Sequence, residues 1–154
     1  MSYEIQVQTD SRWQDYEHAL IQSARQTLAH QSAVTGSLTI VLTDANRVRD
    51  LNVTFAGEDH ATDVLSFTDG SEDPESGQLY FGDVIIAVDI AEKQAQKAGH
   101  TLSAELSLLT VHGVLHLLGH DHADEDEKRS MWAAQKEILD SLEIHLKRWP
   151  FENE

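Results

Sequence analysis

The chain has 154 residues, of which 40% are apolar; this excludes a disordered protein and allows one domain with a buried core. It has no cysteine, which excludes disulfide bonds and thiolate metal sites, so any metal must rest on histidine and carboxylate ligands. A net charge of -16 excludes nucleic-acid binding through a broad basic surface, because such binding depends on cations that displace counterions from phosphates.

The sequence carries no sign of export or of membrane insertion. Residues 1–5 lack the basic and apolar regions of a secretory signal. The longest apolar stretch, residues 106–118, is interrupted by polar residues and falls short of the ~20 apolar residues that span a bilayer. We therefore expect a cytoplasmic protein without membrane contact, and a single domain over residues 1–154.

The spacing of apolar residues distinguishes strands from helices along the chain. Alternation predicts strands over residues 3–7 and 37–43, and a short apolar run predicts a strand over residues 64–67. Residues 79–81 and 83–88 are predicted to form either a strand pair or one strand bulged at Gly82. Helical spacing predicts a first helix over residues 13–28 after a cap at Asp10 or Ser11, and a second that begins after Asp44 and carries Val48, Leu51 and Phe55. Three more helices are predicted over residues 89–98, from about Thr101 to Gly119, and from Asp124 onward.

The composition of residues 69–77, rich in Asp, Gly and Ser, predicts an exposed and mobile loop. The helix that ends at Gly119 carries leucine and valine on every side, so we expect it to be buried on most sides. The last helix is expected to place its inner stripe on Met131, Ala134, Ile138 and Leu142. Together the element order predicts an α+β domain, with helices covering a small mixed sheet.

Three histidines follow a metal-ligand spacing near the end of the buried helix. His112 and His116 are four residues apart, so their imidazoles leave the same helix face and are spaced to chelate one ion. Gly119 ends the helix and lets the chain turn back, which brings His122 within reach of the same ion. Three neutral imidazoles with a free fourth position are typical of catalytic zinc, so we predict one Zn²⁺ per chain.

Other interpretations of these histidines carry less weight. Core histidines bonded to backbone would suit one imidazole, but two side by side among leucines need partners that such surroundings do not supply. A structural zinc site with Asp121 or Asp124 as fourth ligand stays open. His120 is the rival third ligand, and it would align with His116 only if the helix continued through Gly119.

The residue between the two helical histidines argues against a peptidase. Zinc proteases of the His-Glu-x-x-His kind carry their general base directly after the first histidine. Gly113 occupies that position here. A peptidase would therefore need a carboxylate from elsewhere in the fold.

Three segments of the sequence resemble the YbeY endoribonucleases, which are bacterial ribosomal-RNA maturation factors. Residues 112–122, His-Gly-Val-Leu-His-Leu-Leu-Gly-His-Asp-His, resemble the metal signature of that family. Residues 62–67, Thr-Asp-Val-Leu-Ser-Phe, resemble its second motif, and residues 81–86 resemble its Gly-Asp-x-x-Ile strand. Leu51-Asn52 fits the helix before the second motif, and element order and length agree over nearly the whole chain.

The resemblance implies a mixed four-stranded sheet flanked by helices, with zinc on His112, His116 and His122. It also implies metal-dependent cleavage of single-stranded RNA, not DNA, in maturation and quality control of the small ribosomal subunit. One departure concerns phosphate binding: where some members carry an arginine before the glycine at position 57, this chain has Ala56. Either Arg47, Arg49 or His60 substitutes, or that arginine is not general to the family.

Three aspartates are candidates for the catalytic base or for support of the histidines: Asp63, Asp83 and Asp121. A ligand histidine usually donates its second N–H to a carboxylate or carbonyl. Each aspartate also has a structural interpretation, Asp63 in a turn, Asp83 at a bulge and Asp121 capping the turn after the helix. Besides an endoribonuclease, the sequence allows a ribosome-assembly factor with a mainly structural zinc, or a hydrolase of another substrate.

Overall fold

The structure is a computed structural model that describes residues 2–146. The predicted domain over residues 1–154 also includes Met1 and residues 147–154, which lie outside the described residues. The strands are β1 (Tyr3–Gln8), β2 (Gly36–Thr43), β3 (Val64–Glu72) and β4 (Leu79–Ala87). The α-helices are α1 (Glu17–His30), α2 (Ala45–Ala56), α3 (Val88–Ala98), α4 (Leu102–Leu117) and α5 (Glu125–Ser141), and a 3-10 helix, Ser11–Tyr16, precedes α1. The predicted α+β class and element order are confirmed.

The four strands form one mixed sheet in the order β1-β2-β4-β3. β1 pairs in parallel with β2, and β2 pairs in parallel with β4, whereas β3 runs antiparallel to β4. β4 is one bulged strand, because Ser37 pairs with Tyr80 and Leu38 with Gly82, leaving Phe81 without a partner in β2. Gly82 has φ +137°, and a Cβ there would lie 2.1 Å from the Phe67 carbonyl oxygen, so the bulge requires glycine.

Helix α4 runs through the centre of the molecule and is buried along almost its whole length, as its sequence predicts. It packs on β3 and β4 on one side and contacts α1, α3 and α5 on the others. Gly113 permits this approach to the sheet, since a Cβ at that residue would lie 2.5 Å from Val84 Cγ1. The same crowding explains why the position cannot hold the glutamate of a zinc protease.

Side-chain caps begin four of the helical segments. Asp10 accepts from the Arg12 amide, Asp44 from the Arg47 amide and Asp124 from the Glu127 amide, as predicted. Thr101 caps α4 by accepting from the amide of Ala104. These bonds satisfy amides that have no partner within the helix.

The sequence prediction was wrong about where β3 ends. Residues 69–77 were predicted as a loop, yet β3 continues to Glu72, with Ser71 paired to Tyr80 and Glu72 to Leu79. Hydrogen bonds to β4 pair the backbone groups of these turn-forming residues, which would otherwise bond to water. Gly70, with φ +82°, lies where the register between β3 and β4 shifts, between Thr68 and Ser71. The segment is exposed, as expected.

Two details of the predicted helices also differ. The helix predicted over residues 13–28 begins as the 3-10 helix Ser11–Tyr16, and the α-helix starts only at Glu17. Phe55 lies in α2 as predicted, but its side chain is 68% exposed and meets Phe67 edge to face at 5.5 Å between ring centroids. Within the described residues, no helix has the length and apolar character needed to cross a membrane.

Candidate metal centre

The C-terminal end of α4 closes in a way that turns the chain back on itself. The amide of Gly119 donates to the His116 carbonyl at 3.0 Å, and the amide of His120 donates to the Leu115 carbonyl at 3.0 Å. This pair of bonds is a Schellman motif, and Gly119 takes the left-handed conformation it requires, with φ +97°. The prediction that Gly119 ends the helix is confirmed.

The turn brings the three predicted histidines together. One ring nitrogen from each of His112, His116 and His122 lies within 4.8 Å of the others. The Nε2 atoms of His112 and His116 are 3.1 Å apart, and the His122 ring centroid lies 5.3 Å from that of His116. His112 is only 4% exposed, whereas His116 and His122 are half-buried at the mouth of the cluster.

A glutamine from α5 orients the most buried of these rings. His112 Nδ1 lies 2.6 Å from Gln135 Oε1, and Gln135 is 1% exposed. Because the amide oxygen only accepts, Nδ1 carries the proton in this bond, and the lone pair stays on Nε2, which faces His116. Neutral imidazoles with that lone pair directed inward suit a metal ion.

The electrostatic surroundings also favour neutral rings. Burial lowers the pKa of His112 to about 3, with a further contribution from repulsion by His116. Burial and repulsion by His122 likewise lower the pKa of His116. Metal ligands must be deprotonated, so His112 and His116 are available to a cation at pH values where free histidine is protonated.

His120 turns to a different partner although it follows the same glycine. Its Nε2 lies 2.7 Å from Gln31 Oε1 at the end of α1. This contact holds the imidazole away from the cluster formed by the other three rings. The preference for His122 over His120 as third member of the cluster therefore agrees with the geometry.

A cleft of about 590 Å³ opens beside the histidines, and β3 forms its opposite wall. β3 is an edge strand of the sheet, and Ser66 ties it to α4 by donating to the Gly113 carbonyl at 3.0 Å. Asp63, Ser66 and Thr68 line this wall. Thus the edge of the sheet and the end of α4 enclose a space that a substrate segment can enter.

Only two of the three candidate aspartates reach the cleft. Asp63 and Asp121 line it, and the Asp121 carboxylate accepts from the His122 amide at 2.8 Å, as a turn residue does. Asp83 is not among the described residues that line it. Its carboxylate accepts from the Tyr80 hydroxyl, and burial together with Asp83 raises the pKa of Tyr80 to about 12.

Asp63 is the more deeply held of the two aspartates in the cleft. Its Oδ1 accepts from the Val64 amide at 2.8 Å and from the Thr62 hydroxyl at 3.3 Å. Burial nevertheless raises the pKa of this carboxyl group, and the hydrogen bonds, the largest from Gln94, oppose the rise. A carboxyl group of this kind has increased basicity at the cleft wall.

Two of the three proposed substitutes for a phosphate-binding arginine are engaged with acids. Arg49 Nε lies 2.6 Å from Asp59 Oδ1, and His60 Nε2 lies 2.9 Å from Glu58 Oε2. Arg47 is exposed and makes no ion pair within the described residues. Ala56 is exposed at the end of α2, where Gly57 ends the helix.

Sequence reasoning missed three polar residues that support the site: Gln135 and Glu105, which are buried, and Gln94, which is half-buried. A signal existed for two of them. Gln135 sits next to Ala134 within the inner stripe of α5, and Glu105 is a charged residue in a helix that is otherwise buried all round. The partner of Gln135 lies far away in sequence and could not be read from it, whereas His100 lies only a few residues before Glu105.

A small α+β fold that opens a three-histidine cluster onto a cleft defines a candidate metal-dependent hydrolase. Comparison with known proteins narrows this class. The family described as Endoribonuclease YbeY matches residues 2–143. The chain belongs to that family, which confirms the resemblance found in the sequence.

Individual relatives agree with this assignment. A Mycobacterium sp. (strain KMS) protein named Endoribonuclease YbeY is 40% identical over 149 residues, covering 92% of this chain and 84% of the relative. The Gloeobacter violaceus protein of the same name is 40% identical over 145 residues, covering 92% of this chain and 71% of the relative. The solution structure of TM1509 from Thermotoga maritima matches with TM-score 0.54 and 21% identity, covers 92% of each chain, and supports the fold.

Proposed function

We propose that this protein is a zinc-dependent endoribonuclease that cleaves single-stranded RNA in the cytoplasm. Its substrate is ribosomal RNA, and it acts in maturation and quality control of the small ribosomal subunit. The observation that carries the proposal is the convergence of His112, His116 and His122 to within 4.8 Å on the wall of a cleft. Membership of the Endoribonuclease YbeY family supports RNA as the substrate.

The residues present fit a zinc ion. Imidazole is a preferred zinc ligand, three of them converge here, and the bond from His112 to Gln135 leaves Nε2 free to coordinate. When bound, the ion would polarise a phosphoryl oxygen and lower the pKa of a water molecule. Gln135 holds the His112 ring, and the Schellman turn at Gly119 holds His122 in place.

Asp63 is the residue we assign as general base. It shares the cleft with the three histidines, and burial raises the pKa of its carboxyl group toward the range in which a base is effective. It would accept a proton from the attacking oxygen, either of water or of the ribose 2′-hydroxyl. Asp121 is already engaged with the His122 amide and positions that loop, and Asp83 lies away from the cleft.

The charge distribution favours a single strand over a duplex. A net charge of -16 repels a duplex, which presents two phosphate backbones to a broad surface. A single strand can place one phosphate in the cleft and leave the others in solvent. Few phosphates are then neutralised by the protein, so cleavage should weaken only slightly as salt concentration rises.

A ribosome-assembly factor with a mainly structural zinc is the second candidate function. It is favoured by the pairing of Arg49 with Asp59 and of His60 with Glu58, which engages two of the three side chains proposed to bind phosphate. In that case the protein would bind zinc and the small subunit but cleave RNA weakly or not at all.

The decisive test of Asp63 compares Asp63→Asn with Asp83→Asn, because only the first carboxylate lines the cleft. Single-stranded RNA, duplex RNA and casein are offered to the zinc-loaded wild type and to both variants. We expect metal-dependent cleavage of single-stranded RNA that Asp63→Asn reduces about 10²- to 10⁴-fold, the usual contribution of a general base, while Asp83→Asn retains most activity.

Both variants should keep the zinc content of the wild type, which separates loss of the base from loss of the metal. Full activity in Asp63→Asn would remove that residue from the mechanism. Cleavage of casein with inert RNA would overturn the nuclease assignment. Zinc binding without any cleavage would favour the assembly factor.

A further inference from the structure

A connected series of polar side chains leads from the cleft into the interior of the protein, away from the histidine cluster. Its deepest member is Glu105 on α4, whose side chain is fully buried. His100, in the turn before α4, directs Nε2 to Glu105 Oε1 at 2.6 Å, and its side chain is also buried. Burial of a carboxylate is costly, so a group kept in this position calls for an explanation.

Gln94 on α3 joins this pair to the cleft. With its amide nitrogen directed at the two acids, Gln94 donates to Glu105 Oε2 at 3.2 Å and to Asp63 Oδ2 at 3.3 Å. One NH₂ group thus holds two carboxyl groups from different elements. The connected series His100–Glu105–Gln94–Asp63 ends at the cleft wall, where Asp63 is exposed to substrate.

His100 holds Glu105 through one ring nitrogen only. Its Nδ1 is buried and has no hydrogen-bond partner among the described residues. Glu105 is thus held by His100 through Oε1 and by the Gln94 amide through Oε2.

The groups that act on the two acids are few. His100 and Asp63 are the ionisable groups that act on Glu105, and burial raises the pKa of Glu105. Asp63 is held by neutral donors only: the Gln94 amide, the Thr62 hydroxyl and the Val64 amide. Two carboxyl groups that share a donor in a buried setting resist double ionisation and titrate as a pair.

We propose that Glu105 is a positioning residue for Asp63, holding its carboxyl group at the cleft through Gln94. This inference rests on the proposed function only in assigning catalysis to Asp63. Glu105 touches neither substrate nor metal ligands, and it acts through Gln94. The proton that Asp63 accepts from the attacking oxygen leaves through the cleft, since Glu105 has no contact with solvent.

The test measures the protonation of Asp63 directly in metal-free protein, by carboxyl-carbon NMR of isotope-labelled aspartate over a pH series. Three variants are compared with the wild type. Glu105→Gln removes the charge and keeps the shape, Gln94→Met removes the shared donor, and Glu92→Gln removes a charge from the exposed face of α3 as the matched control.

We expect opposite shifts from the two informative variants. Glu105→Gln should lower the pKa of Asp63 by about one unit, a tenfold loss of proton affinity, because repulsion between the carboxyl groups disappears. Gln94→Met should raise the pKa of Asp63, because a donor that stabilises its anion is lost. Glu92→Gln should leave it unchanged. A merely structural role would not produce shifts of opposite sign.

An unchanged Asp63 titration in both Glu105→Gln and Gln94→Met overturns the inference. If Glu105→Gln fails to fold, the direction of the pKa shift of Asp63 in Gln94→Met alone tests the inference. A fall in that pKa would contradict it. The pH profile of kcat/KM then tests the catalytic assignment separately. The acidic limb of this profile should move with the measured pKa of Asp63. If the pKa of Asp63 shifts and the acidic limb does not, Glu105 keeps its positioning role, but Asp63 is not the general base.

Discussion

A buried histidine side chain lies next to another ionisable group at each end of α4, but the neighbouring groups differ. At the N-terminal end, His100 faces the carboxylate of Glu105 at 2.6 Å. At the C-terminal end, His112 faces His116, with 3.1 Å between their Nε2 atoms, and His122 completes the group. One end pairs a donor with an acceptor, and the other collects three groups of the same kind.

The difference teaches what each end can hold. A carboxylate accepts the proton of an imidazole, so the contact between His100 Nε2 and Glu105 needs no metal ion. The second group consists of three imidazoles, and the pKa values of His112 and His116 are lowered. One metal cation can accept a lone pair from each of the three rings. The same helix therefore contains a polar pair and a site that needs a cation.

The strongest way to break this comparison is to remove the third imidazole. We expect His122→Ala to lose zinc and RNA cleavage, while His120→Ala keeps most of both because His120 contacts Gln31 instead. The loss in His122→Ala should exceed the roughly 100-fold that removal of a supporting residue costs at metal sites. Zinc titration and single-stranded RNA cleavage check the pair. Zinc loss in His120→Ala with retention in His122→Ala would reverse the ligand assignment.

A smaller effect should follow from the glutamine behind the cluster. Gln135→Leu removes the acceptor that holds the proton on His112 Nδ1, so zinc affinity should fall about 10- to 100-fold. Gln135→Glu keeps an acceptor and should retain tight binding. Competition with a chromophoric chelator measures both affinities. Equal affinity in Gln135→Leu and wild type would show that packing alone orients the ring.

At the other end of α4, substitution should affect stability and leave metal affinity unchanged. His100→Ala removes the donor to the buried Glu105, and we expect about 1.5–3 kcal/mol less free energy of unfolding, the usual range for a hydrogen bond to a charged group. Urea unfolding and zinc titration of the same variant check this. A large loss of zinc affinity without loss of stability would contradict the separation of the two ends.

The smallest expected effect is a gain at Ala56. Because this residue is exposed and solvent screens its charge, Ala56→Arg should increase cleavage of single-stranded RNA only about two- to fivefold, and the gain should disappear at high salt. Ala56→Gln is the uncharged control of similar length. An equal gain in Ala56→Gln would exclude a phosphate contact, and unchanged cleavage in both would place residue 56 away from the RNA.

Features that depend on neighbouring residues were predictable from the sequence. His112 and His116 share a helix face because they are four residues apart, and Gly119 turns the chain so that His122 follows them. Features that depend on distant pairing were not. β3 extends beyond its predicted end because β4 pairs with it, and Gln135 reaches His112 only after α5 packs against α4. Asp63 could be named as a candidate but not preferred, since the Gln94 contact joins separate elements.

The central claim is that the three imidazoles bind one metal ion on which RNA cleavage depends. Elemental analysis of purified protein, run beside single-stranded RNA cleavage before chelation, after chelation and after zinc is restored, tests it most directly. We predict about one zinc per chain, activity that is lost and regained with the metal, and neither metal nor activity in His112→Ala and His116→Ala. Full metal content in both variants, or undiminished cleavage by chelated wild type, would contradict the claim.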